Sequence, residues 1–227
     1  MVGRLKHKVV AIPSGNTSAG RAIAKRVAQA NGGLMVGAPT RRQIAALEGE
    51  LPGETSHCLQ VDLDRPRSVD EFFKIAIGQF GRLDVLVVES PAIPNQSADM
   101  EKSIGISTRR LLHCLDAVLK VSDDDLHLVV IAPVAGAFAV PVATAFIGAK
   151  LTTGKTLGRK APVLRMSVLS PIENDADGDG ALARTAVHMM CERRTPNISE
   201  YVVRRHIEHR KSTGVGAAKQ SKILVPM

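Results

Sequence analysis

Apolar positions in this chain fall in short, dense runs separated by stretches of helical spacing. Lys8 to Ile12, Leu34 to Ala38, Ser56 to Val61, Asp84 to Val88, Leu126 to Ala132 and Val163 to Leu169 are runs of this kind. A strand with one wet face would alternate polar and apolar residues. These runs are near-continuously apolar, which predicts strands covered on both sides. Glu200 to Arg204 predicts a last strand. Between the strands, Gly20 to Asn31 sets Ile23, Val27 and Ala30 on one helical face and stops at Asn31-Gly32-Gly33. Thr40 can cap a helix over Arg41 to Leu51, and Ser68 one over Ser68 to Phe80, with Gly81 after it. Asp99 to Val121, about Thr144 to Lys160, and Gly180 to Arg194 predict three more helices. Strand and helix alternate throughout. That order predicts an α/β chain with a parallel sheet and helices on both faces.

No internal repeat or linker divides the 227 residues, a length that suits one domain. Residues 1–211 therefore read as a single domain, and 212–227 as a basic tail expected to be mobile, although Ile223 to Val225 could dock. The formal net charge is +8, yet Val202 to Met227 holds six Lys/Arg against one acid, Glu208. The body is close to balanced. A basic tail supplies non-specific affinity for nucleic acid, but five Phe, one Tyr and no Trp offer no stacking platform. Nucleic acid is not the expected partner. No apolar run reaches the roughly 18 residues of a membrane span, and Val9 to Ile12 is too short for a secretory signal. Three spaced cysteines, Cys58, Cys114 and Cys191, make neither a disulfide framework nor a CxxC site, so a reducing, cytoplasmic setting is expected.

No metal is expected either. The acidic run from Glu173 to Asp179 lacks the closing Glu of a calcium loop. The seven histidines form no HExxH motif and no His/Cys cluster. Tyr201 has Arg205 four residues on, but Tyr201 sits in the expected last strand, where that spacing does not bring side chains together as a helix would.

Several landmarks give this order a family character. Ser14-Gly15-Asn16-Thr17-Ser18-Ala19-Gly20 lies between the first strand and first helix. Val61-Asp62-Leu63 follows the third strand, and Phe80-Gly81-Arg82-Leu83-Asp84-Val85-Leu86-Val87 leads into the fourth. Val134-Ala135-Gly136, Pro141 and Lys150 follow the fifth, and Thr195 to Arg204 closes the chain. In this order the segments resemble the short-chain dehydrogenase/reductase family over about residues 5–204. The resemblance implies a Rossmann-like, doubly wound parallel sheet in three layers.

It also implies a chemistry that these residues do not carry. The family reduces carbonyls with a nicotinamide cofactor, using a tyrosine hydroxyl as proton donor, a lysine four residues later, a serine upstream and an asparagine in the fourth helix. Here Lys150 is retained, but the tyrosine position is Phe146, the serine position Pro133 and the asparagine position near Gly105. A phenyl ring has no proton to give, and proline has no donor. No catalytic residue is expected. The stretch from Ser170 to the helix near Gly180 is also short for a substrate lid.

The cofactor positions implied by the resemblance are better kept. They are Ser14, Gly15, Asn16, Thr17, Ser18 and Gly20 in the first turn, Arg41 and Arg42 after the second strand, Asp62 and Leu63 after the third, and Lys150. The first two family glycines are Ser14 and Ser18 here, and Gly15 is expected to restore part of the lost backbone freedom. No acid stands between Val36 and Thr40, whereas Arg41 and Arg42 follow, which favours the 2′-phosphate of NADP over NAD. The family's Asn-Asn-Ala-Gly after strand four reads Val88-Glu89-Ser90-Pro91. Three readings follow: a redox-inactive member that binds NADP or assembles into oligomers, an NADPH-dependent oxidoreductase with altered catalytic residues, and a structural partner of an active paralogous subunit. A homo-oligomer is expected, because the family pairs through helices that map to residues 99–121 and 144–160.

Overall fold

A computed structural model describes residues 5–89, 97–122, 125–131, 164–170, 178–191 and 201–205. Seven strands form one sheet in the order β3-β2-β1-β4-β5-β6-β7, and each neighbouring pair is parallel. They are β1 (Val9–Ile12), β2 (Gly33–Ala38), β3 (Ser56–Gln60), β4 (Val85–Glu89), β5 (Leu126–Ile131), β6 (Leu164–Ser170) and β7 (Tyr201–Arg205). The helices among the described residues are α1 (Ser18–Gln29), α2 (Arg41–Glu50), α3 (Pro66–Phe80), α4 (Ser97–Val121) and α5 (Gly178–Cys191). The chain moves outward from β1 to β3, then crosses back to lay β4 on the other side of β1. That reversal opens a crevice at the carboxyl ends of β1 and β4, the usual ligand position in such sheets.

Two cores sandwich the sheet, and strand alternation assigns each residue to one of them. Val9, Ala11, Met35, Leu86, Val88, Leu128 and Val130 face Phe72, Phe73 and Ala76 of α3 and Leu111, Leu115 and Val118 of α4. Val10, Ile12, Leu34, Val36, Val87, Val129 and Ile131 face Ile23 and Val27 of α1, Leu47 of α2, and Leu182, Ala186 and Met190 of α5. Burial on both sides is why these strands read as unbroken apolar runs.

Local signals explain most boundaries. Thr17 caps α1 and Thr40 caps α2, each accepting from the N–H three residues on. After α1, Asn31 takes a positive φ of 57°; Gly81 ends α3 at φ 73°, where glycine carries no Cβ penalty. One expected cap is different. α3 starts at Pro66, whose fixed φ suits a first helical position, and Ser68 lies inside it. The Ser68 hydroxyl accepts instead from the N–H of Asp62, at 3.0 Å, and so ties down the turn after β3.

Asp84 organises the opposite edge. Its carboxylate accepts from the Val9 N–H at 2.8 Å and from Arg82, its N–H donates to the Val9 carbonyl, and its carbonyl accepts from His127. One side chain and its backbone thus set the register of β1, β4 and β5. Lower in the sheet, buried His127 on β5 meets the hydroxyl of buried Ser167 on β6 at 2.9 Å.

Candidate functional site

The turn between β1 and α1 is built by glycines used for close approach. A Cβ on Gly20 would lie 2.2 Å from the Ser14 carbonyl oxygen and 2.7 Å from the Thr17 hydroxyl. One on Gly15 would lie 2.0 Å from Val36, and one on Gly37 would lie 2.6 Å from the Pro13 carbonyl. The Gly15 N–H donates to the Gly37 carbonyl at 2.8 Å, binding the turn to the end of β2. Gly15 was expected to supply unusual backbone freedom. The positive φ values among the described residues are those of Asn31 and Gly81, so Gly15 serves by its missing Cβ. Its partner Val36 leaves no room for more.

Thr17 holds the helix entrance. Its hydroxyl accepts from the Gly20 N–H at 3.0 Å and donates to the Ser14 carbonyl at 2.9 Å. Among the described residues, the N–H groups of Ser18 and Ala19 have no acceptor, leaving two first-turn donors at the positive end of α1. Asn16 and Ser18, with Arg21, Ala22 and Lys25 of α1 and Asp179 of α5, line an open cleft beside this entrance. Arg21 and Lys25 are held by Glu50 of α2, at 3.2 and 3.0 Å, and that pairing keeps Glu50 below the usual carboxylate range, Lys25 contributing most.

The loops after β2 and β3 flank the turn. Arg41 and Arg42 are exposed in the first turn of α2, just beyond the end of β2. Asp62 accepts from the Asp64 N–H at 3.0 Å and pairs with Arg65 at 3.2 Å, so its carboxylate braces its own turn. Leu63 is half-buried against the α3–α4 core, and its carbonyl meets His113 Nδ1 of α4 at 2.9 Å. Arg110 of α4 grips Asp64 with two bonds, at 2.8 and 2.6 Å, and holds that carboxyl low. The β3 loop is therefore fixed to α4. Sequence reading assigned Asp62 and Leu63 to this loop and missed the anchors, Arg110 and His113, which lie some fifty residues away.

Glu89 was also missed as a site residue. It ends β4, beside Thr17, and its Oε2 is buried without a hydrogen-bond partner. Burial pushes its carboxyl above the usual range, a bond with Thr17 opposes this, and the charge of Asp179 adds to the rise. The sequence signal was present: an acid closing an otherwise apolar strand.

Lys150, Pro133, Phe146 and the helix expected over 144–160 lie outside the described residues, as does the tail 212–227. Gly105 is exposed on α4 with nothing near the place of a Cβ. β6 and α5 are joined by residues 171–177 alone. Tyr201 and Arg205 share strand β7, where a spacing of four cannot form a helical pair. The described residues hold no cluster of His, Cys, Asp or Glu that could bind a metal. None of the described helices is long and apolar enough to cross a membrane.

A nicotinamide dinucleotide, the family's usual cofactor, meets a divided fit here. The backbone fits: the turn is tight, Ser18 and Ala19 offer N–H donors, and the neighbouring loop bears two exposed arginines. The charge beside the turn fits less well, because Glu89 at the end of β4 stands beside Thr17 and Asp179 lines the cleft.

Comparison with known proteins agrees with the backbone. The chain is similar to an uncharacterized oxidoreductase of Staphylococcus saprophyticus, 22% identical over 157 residues, which cover 66% of this chain and 64% of that protein. It is also similar to an uncharacterized oxidoreductase of Mycobacterium tuberculosis, 31% identical over 86 residues, or 37% of this chain and 33% of that protein. The matches thus span less than two thirds of either relative. Among solved structures, a short chain dehydrogenase from Mycobacterium smegmatis superposes with a TM-score of 0.63 at 18% identity, covering 83% of this chain and 87% of that one. A mutant short-chain dehydrogenase/reductase of Serratia marcescens gives 0.61 at 15% identity, covering 82% and 91%. The family model for short chain dehydrogenase matches residues 8–155, from β1 into the helix expected over 144–160. With that match laid over the parallel sheet and its crevice, the chain belongs to the short-chain dehydrogenase family.

Proposed function

We propose that this chain is a nucleotide-binding member of the family that performs no hydride transfer, and that its dinucleotide is NADP. The observation that carries the reading is the β1–α1 turn. Gly15, Gly20 and Gly37 each fill a place where a Cβ would strike a neighbour at under 3 Å, so the tight cradle is built into the packing. Thr17 caps the helix, and Ser18 and Ala19 retain N–H donors. Arg41 and Arg42 are exposed beyond β2 with no acid at its end, which supports a preference for the 2′-phosphate. Loss of hydride transfer rests on the sequence, which puts Phe146 and Pro133 where the family needs hydroxyl groups.

Calorimetric titration of the purified chain with NADP+ and NAD+ tests the binding. Charge-assisted bonds to a phosphate are worth about 1.5–3 kcal/mol, roughly ten- to a hundredfold in affinity. NADP+ should bind more tightly by that factor, and the Arg41→Ala, Arg42→Ala double variant should erase the difference. Equal affinities in the wild type would remove the 2′-phosphate argument. A panel of carbonyl substrates with NADPH should show no turnover, and a rate above roughly 1 per second, the low end of ordinary enzymes, would defeat the redox-inactive reading.

A second reading, assembly into homo-oligomers or with a paralogous subunit, draws on α4. Leu111, Leu115 and Val118 are buried in the core, whereas Leu112 and Leu119, one helical heptad apart, stay half-exposed on its flank.

A further inference from the structure

The loop that joins β3 to α3 flanks the β1–α1 turn, and its own backbone fixes only part of it. The Val61 N–H donates to the Ala38 carbonyl at 2.9 Å, the Asp62 N–H to the Ser68 hydroxyl at 3.0 Å, and the Arg65 N–H to the Asp62 carbonyl at 3.1 Å. The Asp62 carboxylate is drawn into the same turn by the Asp64 N–H and by Arg65. Val61 carries the loop's position to the cradle. A Cβ on Gly37 would lie 2.4 Å from the Val61 side chain, and the Gly37 carbonyl accepts from the Gly15 N–H. The β1–α1 turn thus rests on β2, and the end of β2 rests on the β3 loop.

The far end of the loop is held from α4. Arg110 closes Nε and Nη2 on the two Asp64 carboxylate oxygens, at 2.8 and 2.6 Å. His113, three residues on and so on the same helical face, meets the Leu63 carbonyl through Nδ1 at 2.9 Å. A carbonyl only accepts, so the ring donates from Nδ1. The planar guanidinium fixes direction as well as distance. Its contribution to stability is small, because both side chains of the pair are about half-exposed. The clamp acts chiefly on where the loop stands.

We propose that Arg110 and His113 are positioning residues for nucleotide binding: they hold the β3 loop in the conformation that the ligand meets, so that its ordering is completed on folding and not on binding. The inference rests on the nucleotide-binding reading for its ligand. Ordering a loop at the moment of binding costs affinity, so loss of the clamp weakens binding without removing a ligand contact. Charge alone predicts the opposite sign at one partner. Neutralising Asp64 takes an acid from the rim of a phosphate-binding site and frees Arg110, and both changes would tighten the binding of an anion if Arg110 acted on the ligand directly.

The experiment is calorimetric titration of the full chain with NADP+ for the wild type, Asp64→Asn, Arg110→Lys, the double variant of these two, His113→Ala and His113→Asn, with melting followed by circular dichroism. Asp64→Asn and Arg110→Lys should each weaken binding about three- to tenfold, the cost of ordering a side chain or two at an interface, while melting within about 4 °C of the wild type. The double variant should lose no more than either single variant, since the same interaction is removed once. His113→Ala should also weaken binding, and His113→Asn, whose amide donates from near the Nδ1 position, should recover most of the loss. Unchanged affinities, with or without a fall in melting temperature, would overturn the inference and leave the nucleotide-binding reading standing. Tighter binding by Asp64→Asn would do the same and make Arg110 a ligand contact. No binding by the wild type would overturn both. Should the variants melt far below the wild type, hydrogen exchange of the wild type decides: the amides of Asp62, Asp64 and Arg65 should be protected before NADP+ is added, and protection acquired only with the ligand refutes the inference.

Discussion

Replacing Gly20 by alanine separates helix propensity from the geometry of the turn. Gly20 lies in the first turn of α1 and Gly78 near the end of α3, so intrinsic propensity favours alanine at both, by up to about 1 kcal/mol. At Gly78 nothing lies within 4 Å of the added Cβ, and the gain should be realised. At Gly20 the Cβ would sit 2.2 Å from the Ser14 carbonyl oxygen, where ordinary contact begins at 3.4 Å. Relief requires a backbone carbonyl to move by more than about 1 Å, or Thr17 to abandon its cap. Overpacking of this kind costs about 1–3 kcal/mol, and a lost cap about 1 more. The net expectation is a loss of about 1–3 kcal/mol for Gly20→Ala and a gain of about 0.5–1 kcal/mol for Gly78→Ala. For a chain of this size each kcal/mol shifts Tm by roughly 2–4 °C. With no Trp and one Tyr, urea and thermal unfolding should be followed by far-ultraviolet circular dichroism. If Gly20→Ala melts with or above the wild type, the turn relaxes easily and the cradle is not enforced by packing.

Three further outcomes are expected. Ser167→Ala should cost about 1–3 kcal/mol in urea unfolding, because it removes the partner of a ring nitrogen on buried His127; a loss under about 0.5 kcal/mol, the scale of a neutral surface change, would refute this. Burial pushes the Cys58 thiol up to about 11 and the Cys114 thiol up to about 12, from a reference of 9.0. The unfolded chain therefore loses these protons first, and stability should fall as pH rises from 9 through the folded values. Cys58→Ala and Cys114→Ala variants should show a shallower fall. Light scattering after size exclusion should report an oligomer for the full chain, and Leu112→Lys with Leu119→Lys should reduce it to monomer; a monomeric wild type would end the assembly reading.

Sequence alone determined the layered fold, because each strand buried on both faces had to be apolar at successive positions. Val85 to Val88 and Leu128 to Ile131 read as interior strands for the same reason that they pack between two helical layers. Local chemistry also announced itself: Thr17 and Thr40 as caps, and Gly81 after α3, act through neighbours three or four residues away. Contacts across long sequence separations were decided only by tertiary structure. Ser68 fits a helix cap in sequence, but Pro66 begins the helix earlier and frees its hydroxyl for Asp62. Arg110 and His113 belong to the β3 loop because α4 packs beside α3, which no local pattern around residue 62 encodes. Gly15 looked like a source of backbone freedom, yet Val36 of the next strand dictates its lack of a side chain. Glu89 shows the division most clearly. Its presence at the end of an apolar strand was visible in the letters, but the burial of one carboxyl oxygen beside Thr17, with Asp179 near, was decided only by the fold.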